Sequence, residues 1–218
     1  MDLNFPNLLR YEQSFFILNY LAHAYLSFGQ EDILVGNMIS DFVKGKKQFD
    51  YPKGVQKGIV LHRAIDEFTD RNPLTQEAKQ FFRPAYGLYA GVFMDIVYDH
   101  FLAKDRNEFE DNSALEFFCQ QVYAQLGPLR NGFPERFQHI FRYMQEQDWL
   151  YHYQYKQAVY NSFRGLVKRA KFIHEFEPAC SVLDDHYAEL KVFYEKFFPE
   201  LKRFAQAKWQ ELISGPGH

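Results

Sequence analysis

The sequence predicts an all-α protein, a compact array of many helices, and three observations predict it. Apolar residues recur in steps of three and four along most of the chain, the period of a helix with one buried face. No run alternates apolar and polar residues between hairpin turn pairs, and no glycine-rich phosphate loop occurs. Breakers such as Pro52, Asn72-Pro73, Gly127-Pro128 and Phe133-Pro134 punctuate the boundaries between the periodic stretches.

The periodic stretches cover residues 14–28, 32–44, 53–70, 74–83, 86–105, 113–126, 134–147, 154–171 and 178–213. The first holds the longest apolar run, Ser14 to Phe28. It contains Asn19 and His23 and is shorter than the roughly 20 residues a membrane span needs. Pro52 precedes the third stretch and Asn72-Pro73 closes it. Gly127-Pro128 and Phe133-Pro134 bracket a loop before the seventh, and the last is expected to break near Pro199. The 218 residues suffice for one core and do not require two. The expected division is an N-terminal extension over 1–17, its first 13 residues a separate arm, and a single helical domain over 18–213.

Composition narrows the class of protein. Aromatic residues make up 19% of the chain, which argues against disorder. The net charge of -3 provides no global basic field, so nucleic acid is not an expected partner. No span and no basic secretory leader is legible, so a membrane is not expected either. Cys119 and Cys180 form no Cys-x-x-Cys pair and read as two thiols in a reducing cytoplasm.

The chemistry lies where the apolar seams turn polar. The first seam reads Phe16, Tyr20, His23, Ser27, and the second Leu34, Met38, Asp41. The third reads Val55, Ile59, His62, Asp66, and the fifth Leu88, Val92, Asp95, Asp99, Leu102. A carboxylate in a core survives only when paired, strongly hydrogen-bonded or bound to a metal. Any one of these residues alone reads as a hydrogen-bonded core group; four helices repeating the pattern predict a shared site. His62 and Asp66 stand one turn apart on one helix face, as do Asp95 and Asp99. The reading takes His23, Asp41, His62, Asp66 and Asp99 as metal ligands and Asp95 as the group that orients water or acts as a base. Mixed imidazole and carboxylate donors suit Mn²⁺, Fe²⁺ or Zn²⁺, or Mg²⁺ where carboxylates dominate. From Phe42 to Arg63 lysine and arginine outnumber acids, and Lys44 and Arg63 are the candidates for phosphate contact.

These same segments carry a family resemblance. Leu18 to His23 (LNYLAH), Gly36-Asn37 with Asp41-Phe42, Gly58 to Asp66 (GIVLHRAID) with Thr69-Asp70, and Asp95 to Leu102 (DIVYDHFL) resemble the acyl carrier protein phosphodiesterases. His186-Tyr187-x-x-Leu190 and Phe197-Phe198-Pro199-x-Leu201 continue the match, which runs from about residue 18 to 204 in order. The resemblance implies an all-helical fold of the His-Asp metal phosphohydrolase type. It also implies removal of 4′-phosphopantetheine from the serine of holo acyl carrier protein, and a divalent ion, manganese or similar. No His is followed directly by Asp here, so His62 and Asp66 are expected to take the place of that doublet. Relatives are expected to begin near Leu18, and a leucine-type start codon read through from an upstream Met would explain the extension. Another enzyme class also fits the metal site, a phosphohydrolase of nucleotides or other small phosphate esters. A di-iron bundle would need Glu-x-x-His pairs, and there are none.

Overall fold

Residues 19–215 are described by a computed structural model, and every regular element among them is helical. The α-helices are α1 (Tyr20–Tyr25), α2 (Glu31–Ile39), α3 (Lys53–Arg71), α4 (Pro73–Ala78), α5 (Arg83–Tyr86) and α6 (Ala90–Ala103). They continue as α7 (Asn112–Leu126), α8 (Glu135–Glu146), α9 (Trp149–His152), α10 (Lys156–Arg169), α11 (Glu177–Asp185) and α12 (Tyr187–Ser214). Tight 3-10 turns at Ser40–Phe42, Gly45–Asp50, Lys79–Phe81, Gly87–Tyr89 and Gly127–Gly132 join several of them. The arm expected at 1–13, and the whole extension at 1–17 with Phe16, lie outside the described residues.

Helix α6 forms the centre. It is apolar almost all round, and Phe93, Met94, Ile96, Val97 and Leu102 are fully buried. It packs against α1, α10 and α12. The tightest helix pair is α2 on α3, and two glycines set its closeness. A Cβ on Gly36 would stand 2.2 Å from the Val55 carbonyl oxygen, and one on Gly58 would stand 2.4 Å from that of Ile33. No side chain fits at either position, so the two backbones touch and draw Asp41, just beyond α2, towards α3. Helix α12 covers another face of α3.

Local chemistry sets the helix starts. Asn72 caps α4 through the Leu74 N–H at 2.9 Å with Pro73 in the first turn, and Asp111 caps α7 through the Ala114 N–H at 2.8 Å. Three boundaries differ from the sequence reading. Gly87 adopts φ 53° and ends the helix expected to run from 86, so Leu88 stands fully exposed instead of lying in a seam. The second periodic stretch tightens after Ile39, which places Asp41 in a 3-10 turn. The last stretch breaks at His186 and not near Pro199, which sits inside α12. Pro199 and Glu195, whose carbonyl it deprives of a donor, are both exposed, so water replaces the lost hydrogen bond.

Candidate metal centre

Helix α1 is only six residues long, and its first N–H groups need acceptors. Asn19, before it, offers no side-chain cap. Asp99 of α6 supplies one from across the core: Oδ2 accepts from the Leu21 N–H at 2.9 Å and Oδ1 from the Ala22 N–H at 2.8 Å. A fully buried carboxylate at the positive end of a helix is a favourable arrangement. The other end is fixed by Asn37 of α2, whose amide donates to the His23 carbonyl (3.2 Å) and to Ser27 Oγ (2.8 Å). His23 is thereby held between two anchors.

Three helical segments then meet. His23 Nε2 lies 3.2 Å from Asp66 Oδ1, and His62 Nε2 lies 3.1 Å from Asp66 Oδ2 and 3.4 Å from Asp41 Oδ1. The two imidazoles stack with centroids 3.9 Å apart. Both histidines are buried, while the side chains of Asp41 and Asp66 are 17% and 24% exposed, so the cluster opens to solvent on its carboxylate side.

The buried ring nitrogens of His23 and His62 find no aligned hydrogen-bond partner despite these short approaches. Buried polar atoms left without an aligned bond call for an explanation, and a bound ion is one that fits a cluster of imidazoles and carboxylates. Donor atoms of His23, His62 and Asp66 all lie within 4.8 Å of one another, near enough to hold one ion. The electrostatics agree. Burial pulls His62 down, but Asp66 and Asp41 outweigh it and leave its pKa at about 10. Burial first, and the neighbouring His62 second, keep His23 low. Burial pushes Asp66 up, but His62 and His23 overcome that and hold it well below the usual carboxylate range. The carboxylates thus favour the protonated form of His62, and a cation binding there would compete with that proton.

The other expected site residues fall around this cluster. Both oxygens of Asp99 are engaged by α1, which accounts for its burial as a structural acceptor. Asp95, one turn earlier on α6, is partly exposed, and burial first and the charge of Asp66 second push its carboxyl well above the normal range. Arg63 is exposed but occupied: it donates to the Gln48 side chain at 2.7 Å and to the Val43 carbonyl at 3.0 Å, strapping the 43–50 segment to α3. Lys44 is exposed at the head of that segment. Asn37 was legible only as part of a motif and carried no role in the seam argument, because an amide on a buried face looks like any core polar group.

Over the described residues, fold and site define a helical array holding a His-His-Asp cluster that opens to solvent on its carboxylate side and could hold a metal ion. Comparison with known proteins narrows this. A family model described as acyl carrier protein phosphodiesterase matches residues 18–201. Proteins of that name from Klebsiella pneumoniae (strain 342) and Yersinia pestis are each 31% identical over 191 residues, covering 88% of this chain and 99% of the relative. One from Enterobacter sp. (strain 638) is 30% identical over 195 residues, covering 89% of this chain and all of the relative. No solved structure matches. The chain belongs to the acyl carrier protein phosphodiesterase family, a family of enzymes.

Proposed function

We propose that the protein is a cytoplasmic, metal-dependent phosphodiesterase that hydrolyses 4′-phosphopantetheine from the serine of holo acyl carrier protein and releases the apo protein. The observation that carries this reading is the His23, His62, Asp66 cluster with Asp41 beside it. A cation would satisfy its unbonded buried nitrogens; the mixed donors suit Mn²⁺, Fe²⁺ or Zn²⁺, or Mg²⁺ where carboxylates dominate, and the family resemblance favours Mn²⁺. When bound, the ion would neutralise charge on the phosphate and make water a better nucleophile. His62 and Asp66 stand in for the contiguous doublet of the His-Asp phosphohydrolases, the fold type to which we assign the array.

The chain's own residues do the rest. Asp95, with its raised affinity for protons, orients the attacking water and takes its proton. Water adds to phosphorus and the bond from phosphorus to the serine oxygen breaks. The proton that Asp95 took from water passes to the serine oxygen, and the phosphate leaves on the pantetheine. Lys44 meets the phosphate from the open side, and Arg63 holds the loop that carries Lys44.

The test is direct. Holo acyl carrier protein incubated with the enzyme and Mn²⁺ should lose the mass of phosphopantetheine, and chelator should stop the reaction. Hydrolysis of small phosphate esters with the carrier left intact would overturn the assignment of substrate. Full activity in chelator would overturn the metal.

A further inference from the structure

Two buried donors near the cluster have no hydrogen-bond partner among the described residues and no part in the scheme above. Tyr20 is 4% exposed, and its hydroxyl is closed to water and unbonded. Arg169, the last residue of α10, is partly exposed, yet its Nη2 is closed to water and unbonded as well. The guanidinium folds back along its own helix over Gly165, where a Cβ would stand 3.3 Å from Nη1 and 3.9 Å from Nη2. Gly165 thus leaves the room that keeps the charge turned inward.

The two donors lie within electrostatic reach of each other. Asp41 and Arg169 are the charged groups whose fields reach the Tyr20 hydroxyl. Tyr20 lies one turn before His23 on α1, so its side chain stands on the same face as the metal-ligand candidate. Phe137 backs the Tyr20 ring at 6.2 Å and the Phe42 ring, next to Asp41, at 5.3 Å. The site thus has an apolar wall, a buried cation and an unbonded hydroxyl beside the open carboxylate side of the cluster. A buried guanidinium nitrogen without an acceptor is costly, and a tetrahedral oxyanion is the ligand that would satisfy it and the hydroxyl together.

We propose that Arg169 and Tyr20 form an anion subsite that receives non-bridging phosphate oxygens of the substrate beside the metal centre. The inference rests on the phosphodiester reading, and it adds α10 to the elements that bind substrate. The charge on Arg169 complements the negative charge of a phosphate. Neither residue needs to touch the ion.

Thermal unfolding of the full chain in chelator, titrated with inorganic phosphate, tests it without any turnover. Phosphate should raise the melting temperature of the wild type. Arg169→Met should raise the phosphate concentration needed for half the effect by about tenfold or more, and Tyr20→Phe by a smaller factor. In the absence of phosphate both variants should melt no lower than the wild type, because each removes an unbonded buried polar group. A purely structural Arg169 would do the reverse. No phosphate effect in the wild type, an undiminished effect in Arg169→Met, or a large loss of stability in both variants overturns the proposal. His62→Ala separates the two readings: it should lose hydrolysis of holo carrier protein and keep the phosphate shift. A wild type that shows the Arg169-dependent shift but never cleaves carrier would sink the proposed reaction and leave the anion subsite standing.

Discussion

Single residues here serve either the cluster or the frame that holds it, and substitutions separate these roles. His62 and Asp66 bond to no helix terminus, so His62→Ala and Asp66→Ala should abolish Mn²⁺-dependent hydrolysis and weaken Mn²⁺ binding while the helical circular dichroism signal persists. Full activity in Asp66→Ala would remove it from the ligand set. His100 belongs to the frame. Its Nδ1 lies 2.6 Å from the Tyr153 carbonyl and its Nε2 lies 2.9 Å from the Tyr187 hydroxyl, so the neutral ring donates at one end and accepts at the other. Burial lowers its pKa from 6.5 to about 4. With the folded value below the unfolded one, the stabilisation is complete above pH 6.5 and is lost as pH falls towards 4. Denaturant titrations should show the wild type losing about 1–3 kcal/mol more over that window than His100→Asn, which cannot titrate. Equal losses would mean that His100 titrates as freely as in the unfolded chain.

At the scale of elements, the contact of α2 with α3 brings Asp41 to His62. Gly58→Ala should cost at least about 1–3 kcal/mol, because the added methyl meets backbone atoms that cannot rotate away. Gly127→Ala is the control, since its Cβ would meet nothing nearer than a flexible Gln145 amide at 3.9 Å. If Gly58→Ala unfolds at the same denaturant concentration as the control, the close crossing is not what holds the pair. The elements themselves were largely legible, because a buried helix face repeats in the sequence whatever it packs against. His23, Asp41, His62 and Asp66 were found by the same rule, as polar residues in apolar seams. That rule gives the face and not the partner. Asp99 obeys it equally, but its oxygens are engaged by α1, a contact 77 and 78 residues away in sequence that no local pattern encodes. Tyr20 in its seam passed for core, and nothing in the sequence singled out Arg169 at the end of α10. The α2–α3 glycines appeared only as motif letters, because close approach leaves no periodic trace. Pro199 misplaced a helix break because the sequence does not say which side of α12 faces water.

For the whole molecule, the net charge of -3 conceals a local excess of the opposite sign. Lys44, Lys46 and Lys47 all stand exposed in the 43–50 segment, with Phe49 63% exposed among them. That segment links Asp41 to the helix bearing His62, so a carrier protein docked on it would lie beside the metal centre. Replacing Lys46 and Lys47 together with Glu should weaken binding of an acidic carrier by a few-fold per lysine, in line with roughly 0.2–1 kcal/mol for an exposed pair. The remaining binding should respond less to salt, since attraction between exposed charges is screened beyond about 8–10 Å. Cleavage of a small phosphodiester should stay nearly unchanged. Equal loss of both activities would place these lysines in the fold or the chemistry and end the docking assignment.

The cap that Asp99 places on α1, and the cover that α12 lays on α3, also set an order of events during synthesis. His23, Asp41, His62 and Asp66 leave the ribosome early, but the helix bearing His23 has no acceptor for its first amides until α6 has emerged. The helix bearing His62 and Asp66 keeps an apolar flank bare until the last helix is made. A nascent chain halted before α12 would therefore hold every cluster residue yet lack a competent centre. If the cluster takes up an ion as proposed, loading would come only after α12 has been made.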